Sequence, residues 1–163
     1  MHSSVTIDID APPALVFALA RDPEWWSALL PHYAHSRSVG HDARGRPFIR
    51  FIARRPLVPV VGLGLPVIWT ARTWNEPDTR TLRFEHVAGA SRGMDVTWRI
   101  EPCAGEAGCR VTISHEFAPR LPGFAWFVDR VFTRPIAGRT LATFKAIAEA
   151  VQSTEAPPTN PSI

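Results

Sequence analysis

The sequence predicts an α+β fold: a curved antiparallel β-sheet of about seven strands wrapped around a long C-terminal α-helix, with two short helices after the first strand and an interior cavity. Three observations predict it. A period-two strand opens the chain, hairpin-punctuated period-two segments fill its middle, and a long apolar pattern of period 3.6 ends it. A curved sheet wrapped on one helix closes a face without filling the space between them, which is a physical route to a cavity.

The elements follow in order. "SVTIDIDAP" alternates Val5, Ile7 and Ile9 against Thr6, Asp8 and Asp10, the pattern of a half-buried strand. "APPALVFALARD" then has proline near a helix start and Leu15, Val16 and Leu19 at helical spacing. Asp22-Pro23 ends that helix and caps a second over 24–30, which Pro31 stops. From there to about Pro119 the chain reads as hairpins, with turns at 42–45, around Glu76-Pro77-Asp78, and at 104–108. After "PRLPG" an amphipathic helix is expected over 124–151, kinked or divided by Pro135 and Gly138. Residues 1–151 are expected to form one domain, and the proline-rich 152–163 a disordered tail.

Composition narrows the function classes. No apolar run reaches the roughly 18 residues of a membrane span, and the greasiest stretch, "PLVPVVGLGLPVIW", is broken by Pro and Gly. The opening "MHSSVTIDID" lacks the basic-then-apolar pattern of a secretory signal, so a cytoplasmic protein is expected. Cys103 and Cys109 fit no zinc spacing and read as free thiols, and no metal or cofactor is expected. All but one of the 18 basic residues are Arg, Lys145 being the exception, and they are scattered rather than massed with aromatics. Nucleic-acid binding is therefore not expected.

Strand parity separates the faces. Leu82, Phe84 and His86 share one face, as do Met94, Val96, Trp98 and Ile100, and Val111, Ile113, His115 and Phe117. His86 and His115 thus fall among apolar residues facing the helix, either as bonded core histidines or as polar points in a pocket. In "VIWTARTW" both faces carry bulky apolar groups. If Ile68, Thr70 and Arg72 point inward, a charge enters the interior. If Trp69 and Thr73 do, Arg72 is a surface charge, and the pattern leaves both open.

"IDIDAPPALVFALARDPEWWSALLPHY", with "RTLRFEHV", "MDVTWRIEP" and "ISHEF", resembles the helix-grip superfamily, which includes START domains and plant pathogenesis-related allergens. Within it the chain is most similar to bacterial polyketide cyclase/dehydrases, including tetracenomycin-type aromatase/cyclases, over about residues 3–151. The resemblance implies a helix-grip fold and aldol cyclisation and dehydration of a poly-keto chain tethered to an acyl carrier protein. It brings Arg72 onto the family's pocket arginine, Tyr33 onto a proposed acid, and Trp26 and Trp98 onto pocket walls, with Trp25 outward. An arginine in a dry site can hold an enolate, and a phenol can protonate a leaving hydroxyl. Three departures make the cavity more apolar: the family's helix asparagine falls near Pro135, a tryptophan is replaced by Ile68, and the 56–66 hairpin is longer and greasier.

Two functions follow. One is a cofactor-independent cyclase/dehydratase with Arg72 and Tyr33 catalytic and Trp26, Ile68, Thr70, Phe84, His86, Met94, Trp98 and His115 around the substrate. His86 and His115 are its secondary candidates for proton traffic, and an acidic carrier would meet Arg54 and Arg55, or Arg130 and Arg134. The other is a non-catalytic carrier of a lipid, quinone or polyketide, with 56–69 as a lid or a transient membrane contact. A cavity wall carrying Arg72, Tyr33 and a histidine favours the first, and an apolar wall with Arg72 outside favours the second.

Overall fold

The computed structural model describes residues 1–58, 63–103, 108–119 and 123–155, and of residues 55–58, 63–65 and 155 the backbone alone. Strand β1 (His2–Ile9) leads through Asp10 into α1 (Pro13–Ala20). A 3₁₀ turn (Pro23–Trp25) then runs into the single turn of α2 (Trp26–Leu29). Six strands follow: β2 (Tyr33–His41), β3 (Pro47–Val58), β4 (Leu63–Glu76), β5 (Thr81–Gly89), β6 (Met94–Pro102) and β7 (Cys109–Phe117). They pair antiparallel in the order β1-β7-β6-β5-β4-β3-β2, so the first strand closes one end of the sheet against the last.

The expected C-terminal helix is present in three parts. Helix α3 (Phe124–Val128) passes into a π-helical turn (Asp129–Thr133) and then α4 (Arg134–Glu155). Pro135 has no N–H for the carbonyl four residues back, and the helix widens over the turn just before it. Gly138 interrupts nothing. Helix α4 continues to Glu155, past the boundary expected at 151, and residues 156–163 lie outside the described chain. The turn expected at 104–108 and the tip of the 56–66 hairpin also fall largely outside the described residues.

Leu141, Phe144 and Ala148 of α4 are fully buried against the concave face of the sheet, among Ile9, Trp98, Ile100, Val111 and Ile113. The parity read from β5, β6 and β7 holds: Leu82 and Phe84, Met94 to Ile100, and Val111 to Phe117 alternate buried and less buried, with the even or odd set inward as expected. Strand β5 carries an extra residue, Val87, where Thr70 pairs with Ala88 and Ala71 with His86. This bulge bends β5 near its end. There Gly89 sits at φ +97°, and a Cβ on it would lie 2.5 Å from the Ile68 carbonyl oxygen, so only glycine lets the strand close on β4. Beyond Gly89, β4 pairs with β3 alone.

Candidate functional site

Where β5 ends and the helix widens, the sheet and helix do not fill the space between them. The cavity left there is about 90 Å³. That is less than the roughly 150 Å³ of an apolar cavity that takes a benzene ring, so a larger ligand enters only as the walls open.

The inner end of the cavity is aromatic. Trp26 is buried, and its ring centroid lies 5.2–5.9 Å from those of Tyr33, Phe51, Phe84, Trp98 and Phe144. Its Nε1–H donates to the Ala20 carbonyl at 3.1 Å, which ties α2 to the end of α1. Trp25, by contrast, is exposed, because the turn Pro23–Trp25 directs adjacent side chains to opposite sides. Trp69 stacks on Phe51 on one side and on His86 on the other, at 5.1 and 5.9 Å.

Polar groups interrupt this wall at few points. Tyr33 is buried beside Thr140 of α4, and burial raises its phenol above the ordinary range against the smaller effect of the Thr140 hydroxyl. It is therefore a protonated donor at neutral pH. His32 holds the other side of Thr140, whose Oγ1 lies 2.9 Å from His32 Nε2 and donates to the Ile136 carbonyl.

His86 is pushed down to about 3 by burial first and by His115 second, and its Nδ1 lies 2.6 Å from Ser91 Oγ. His115 is buried, and burial pushes it down to about 4 although Asp129 works the other way. Asp129 is itself engaged, accepting from Ser3 Oγ at 2.6 Å and from Arg134 Nε at 2.8 Å. His115 Nδ1 is buried without a hydrogen-bond partner. Both imidazoles are neutral at pH 7. An unpaired buried ring nitrogen costs free energy unless something fills it.

Arg72 is not on this wall. Inward parity on β4 belongs to Trp69, Ala71 and Thr73, all buried, and Arg72 stands on the outer face. There it donates to Glu85, its cross-strand partner, and to Asp42 at 3.3 Å. A guanidinium turned into the apolar cavity would lose both carboxylates, whereas outside it keeps them, and Trp69 takes the interior. Arg72 therefore does not meet Tyr33, and the inward reading is corrected.

Thr70 shares the outer parity and does not line the cavity. Ile68 lines its rim but is 53% exposed. Trp26, Tyr33, Phe84, His86, Met94, Trp98 and His115 all line the cavity together. No Asp, Glu, Lys or Arg lines it among the described residues, and none of these residues forms a cluster of three or more metal-ligating side chains.

Sequence reasoning missed Phe51, Trp69, Ser91, Phe132 and Thr140 on the same wall. Trp69 was one half of the parity tie, and the alternation of Phe51 with Arg50 and Ile52 on β3 carried a usable signal. Ser91 and Thr140 had none, since a turn serine and a helix threonine are ordinary. Near Pro135, where this chain lacks the family's helix asparagine, the helix offers Thr133 and Thr140 to the cavity.

Comparison with known proteins agrees with the fold. The profile of the family described as polyketide cyclase/dehydrase and lipid transport matches residues 1–151. The Zhui aromatase/cyclase of Streptomyces sp. R1128 superposes with a TM-score of 0.72 at 19% identity, covering 91% of this chain and 93% of that one. A START-superfamily protein of Mycobacterium smegmatis gives 0.69 at 14% identity, covering 92% and 98%. The di-domain ARO/CYC BexL of the BE-7585A biosynthetic pathway gives 0.70 at 24% identity, with 93% of this chain covering 47% of that one. At these identities the likeness of the structures is one of fold.

Proposed function

The chain belongs to the polyketide cyclase/dehydrase and lipid transport family, and from that premise we propose that it binds a poly-keto or aromatic molecule in its cavity and promotes aldol cyclisation and dehydration. The observation that supports this reading is the pair of neutral imidazoles, His86 and His115, on one apolar wall with the Tyr33 phenol. A ketone carbonyl needs a donor to polarise it, and a neutral imidazole N–H in a dry site serves. With values of about 3 and 4, the histidines are poor general bases at neutral pH. In the enol form, however, the reacting proton sits on oxygen. A neutral imidazole takes it at one nitrogen and gives one up from the other as the new carbon–carbon bond forms and the attacked carbonyl becomes a hydroxyl. The hydroxyl then leaves as water with a proton from the Tyr33 phenol, and the adjacent α-proton returns to the tyrosinate as the double bond forms. No cofactor enters this scheme, and the substrate is presented by an acidic acyl carrier protein.

The test is turnover of a carrier-bound polyketone with product analysis. His115→Gln and Tyr33→Phe are expected to lower cyclised product by about 100-fold each, while Arg72→Ala stays within about threefold of wild type. Unchanged product from both cavity variants would remove the catalytic assignment.

A second reading has its own support: among the described residues the cavity wall carries no Asp, Glu, Lys or Arg, and Arg72 lies outside it. A carrier of a lipid, quinone or finished polyketide needs only such a wall. Native mass spectrometry that finds a lipid or quinone retained at near-stoichiometric amount would favour it.

A further inference from the structure

Helix α3 has the sequence FAWFV, with no polar side chain but the indole N–H of Trp126. A surface helix normally turns one apolar stripe inward and shows a polar face to water. This one buries only Val128 fully, leaving Trp126 66% and Phe127 45% exposed. The helix adjoins the cavity through Phe127, which packs edge-on against Phe132 at 5.8 Å, and Phe132 lines the cavity together with the half-exposed Ile68. Three of the exposed large hydrophobics among the described residues thus gather at this end.

Two cations accompany them. Arg130 follows Trp126 by one turn, and Arg92 follows Ser91 of the cavity lining in the β5–β6 turn. Both are exposed, and neither has an ion-pair partner among the described residues.

We propose that α3 and the adjoining rim dock on an anionic membrane surface, so that an apolar ligand passes between bilayer and cavity without crossing water. The choice of a bilayer over a protein partner rests on chemistry. Protein interfaces carry about one hydrogen bond per 100–200 Å², and α3 offers a single side-chain donor. An indole with its apolar body in the acyl boundary and its N–H at the headgroups, beside an arginine on the same face, is the composition of an interfacial helix. The proposal takes the cavity as the ligand site, as proposed above, but its test does not depend on catalysis.

The test is flotation of the full chain with phosphatidylcholine vesicles, with and without phosphatidylglycerol. Wild type is expected to float with the anionic vesicles. Trp126→Ser should weaken this by about tenfold, and Arg130→Gln by about fivefold on anionic vesicles alone, with unchanged thermal midpoints. Failure of wild type to float, or variants that float equally, overturns the proposal. So does a dimer that Trp126→Ser converts to monomer, or retention on an acidic acyl carrier protein instead of vesicles. Turnover of a water-soluble carrier-bound polyketone by Trp126→Ser separates the two readings. Activity retained without flotation removes the membrane contact alone, and flotation without any activity in wild type removes the cyclase alone.

Discussion

Acidification from pH 7 to pH 5 is expected to remove roughly 6 kcal/mol of folding stability, about 2 from each of three histidines in or beside the core. His32, His86 and His115 are all held below the ordinary imidazole value of 6.5, at about 4, 3 and 4, by burial in each case. The unfolded chain takes up protons at these rings as the pH falls through 6.5, and the folded chain does not until about pH 4. Depressed imidazoles therefore contribute stability that is fully present above pH 6.5 and lost progressively on acidification. Urea unfolding at a series of pH values measures the slope directly. The double variant His86→Gln/His115→Gln should flatten the slope to about a third of its wild-type value, leaving His32 as the remaining contributor. A stability that does not change between pH 7 and 5 would mean that the rings are charged or hydrated in the fold, and the cavity would not be the dry site described above.

The second large effect is at the aromatic hub. Trp26→Ala is expected to cost about 4 kcal/mol, because the ring is buried at the meeting point of five other aromatics and its removal leaves a hole that a sheet and a long helix close poorly. The Ala20 carbonyl also loses its donor. Trp26→Phe retains most of the apolar volume and should cost about half as much. Denaturant midpoints read both. A loss below about 1 kcal/mol for Trp26→Ala would show that the α2 segment contributes little to the core. Typical domains are stable by only about 5–15 kcal/mol, so the alanine variant is best studied at neutral pH, where the histidines still contribute fully.

The fold was legible in the sequence because its signals were long and mutually consistent. Alternation in β1, β5, β6 and β7 assigned the inward residues one by one, and the helical period over 124–151 gave the helix. What the pattern could not carry was the face of β4. Trp69, Ala71 and Thr73 compete there with Ile68, Thr70 and Arg72, and both sets contain bulky apolar groups. The tie is broken by long-range partners, since Asp42 and Glu85 wait for the guanidinium on the outer face and Phe51 and His86 wait for the indole within. Neither is a neighbour in sequence. The π turn before Pro135 was invisible for a related reason: proline announces an interruption but not how the helix absorbs it. The resemblance to cyclases drew Arg72 inward by analogy, and the packing of this chain placed it outside.

The measurement that tests this account most directly follows the side-chain N–H and imidazole signals of the ¹⁵N-labelled protein while 2,4-pentanedione, a small β-diketone, is titrated in. His86 and His115 are predicted to shift together and saturably, as the diketone oxygens meet the ring nitrogens, including the unpartnered Nδ1 of His115. The Nε–H of Arg72, buried against the outer face without a partner of its own, is predicted to stay where it is. A shift of Arg72 with both histidines still would contradict the account and return the ligand to the arginine.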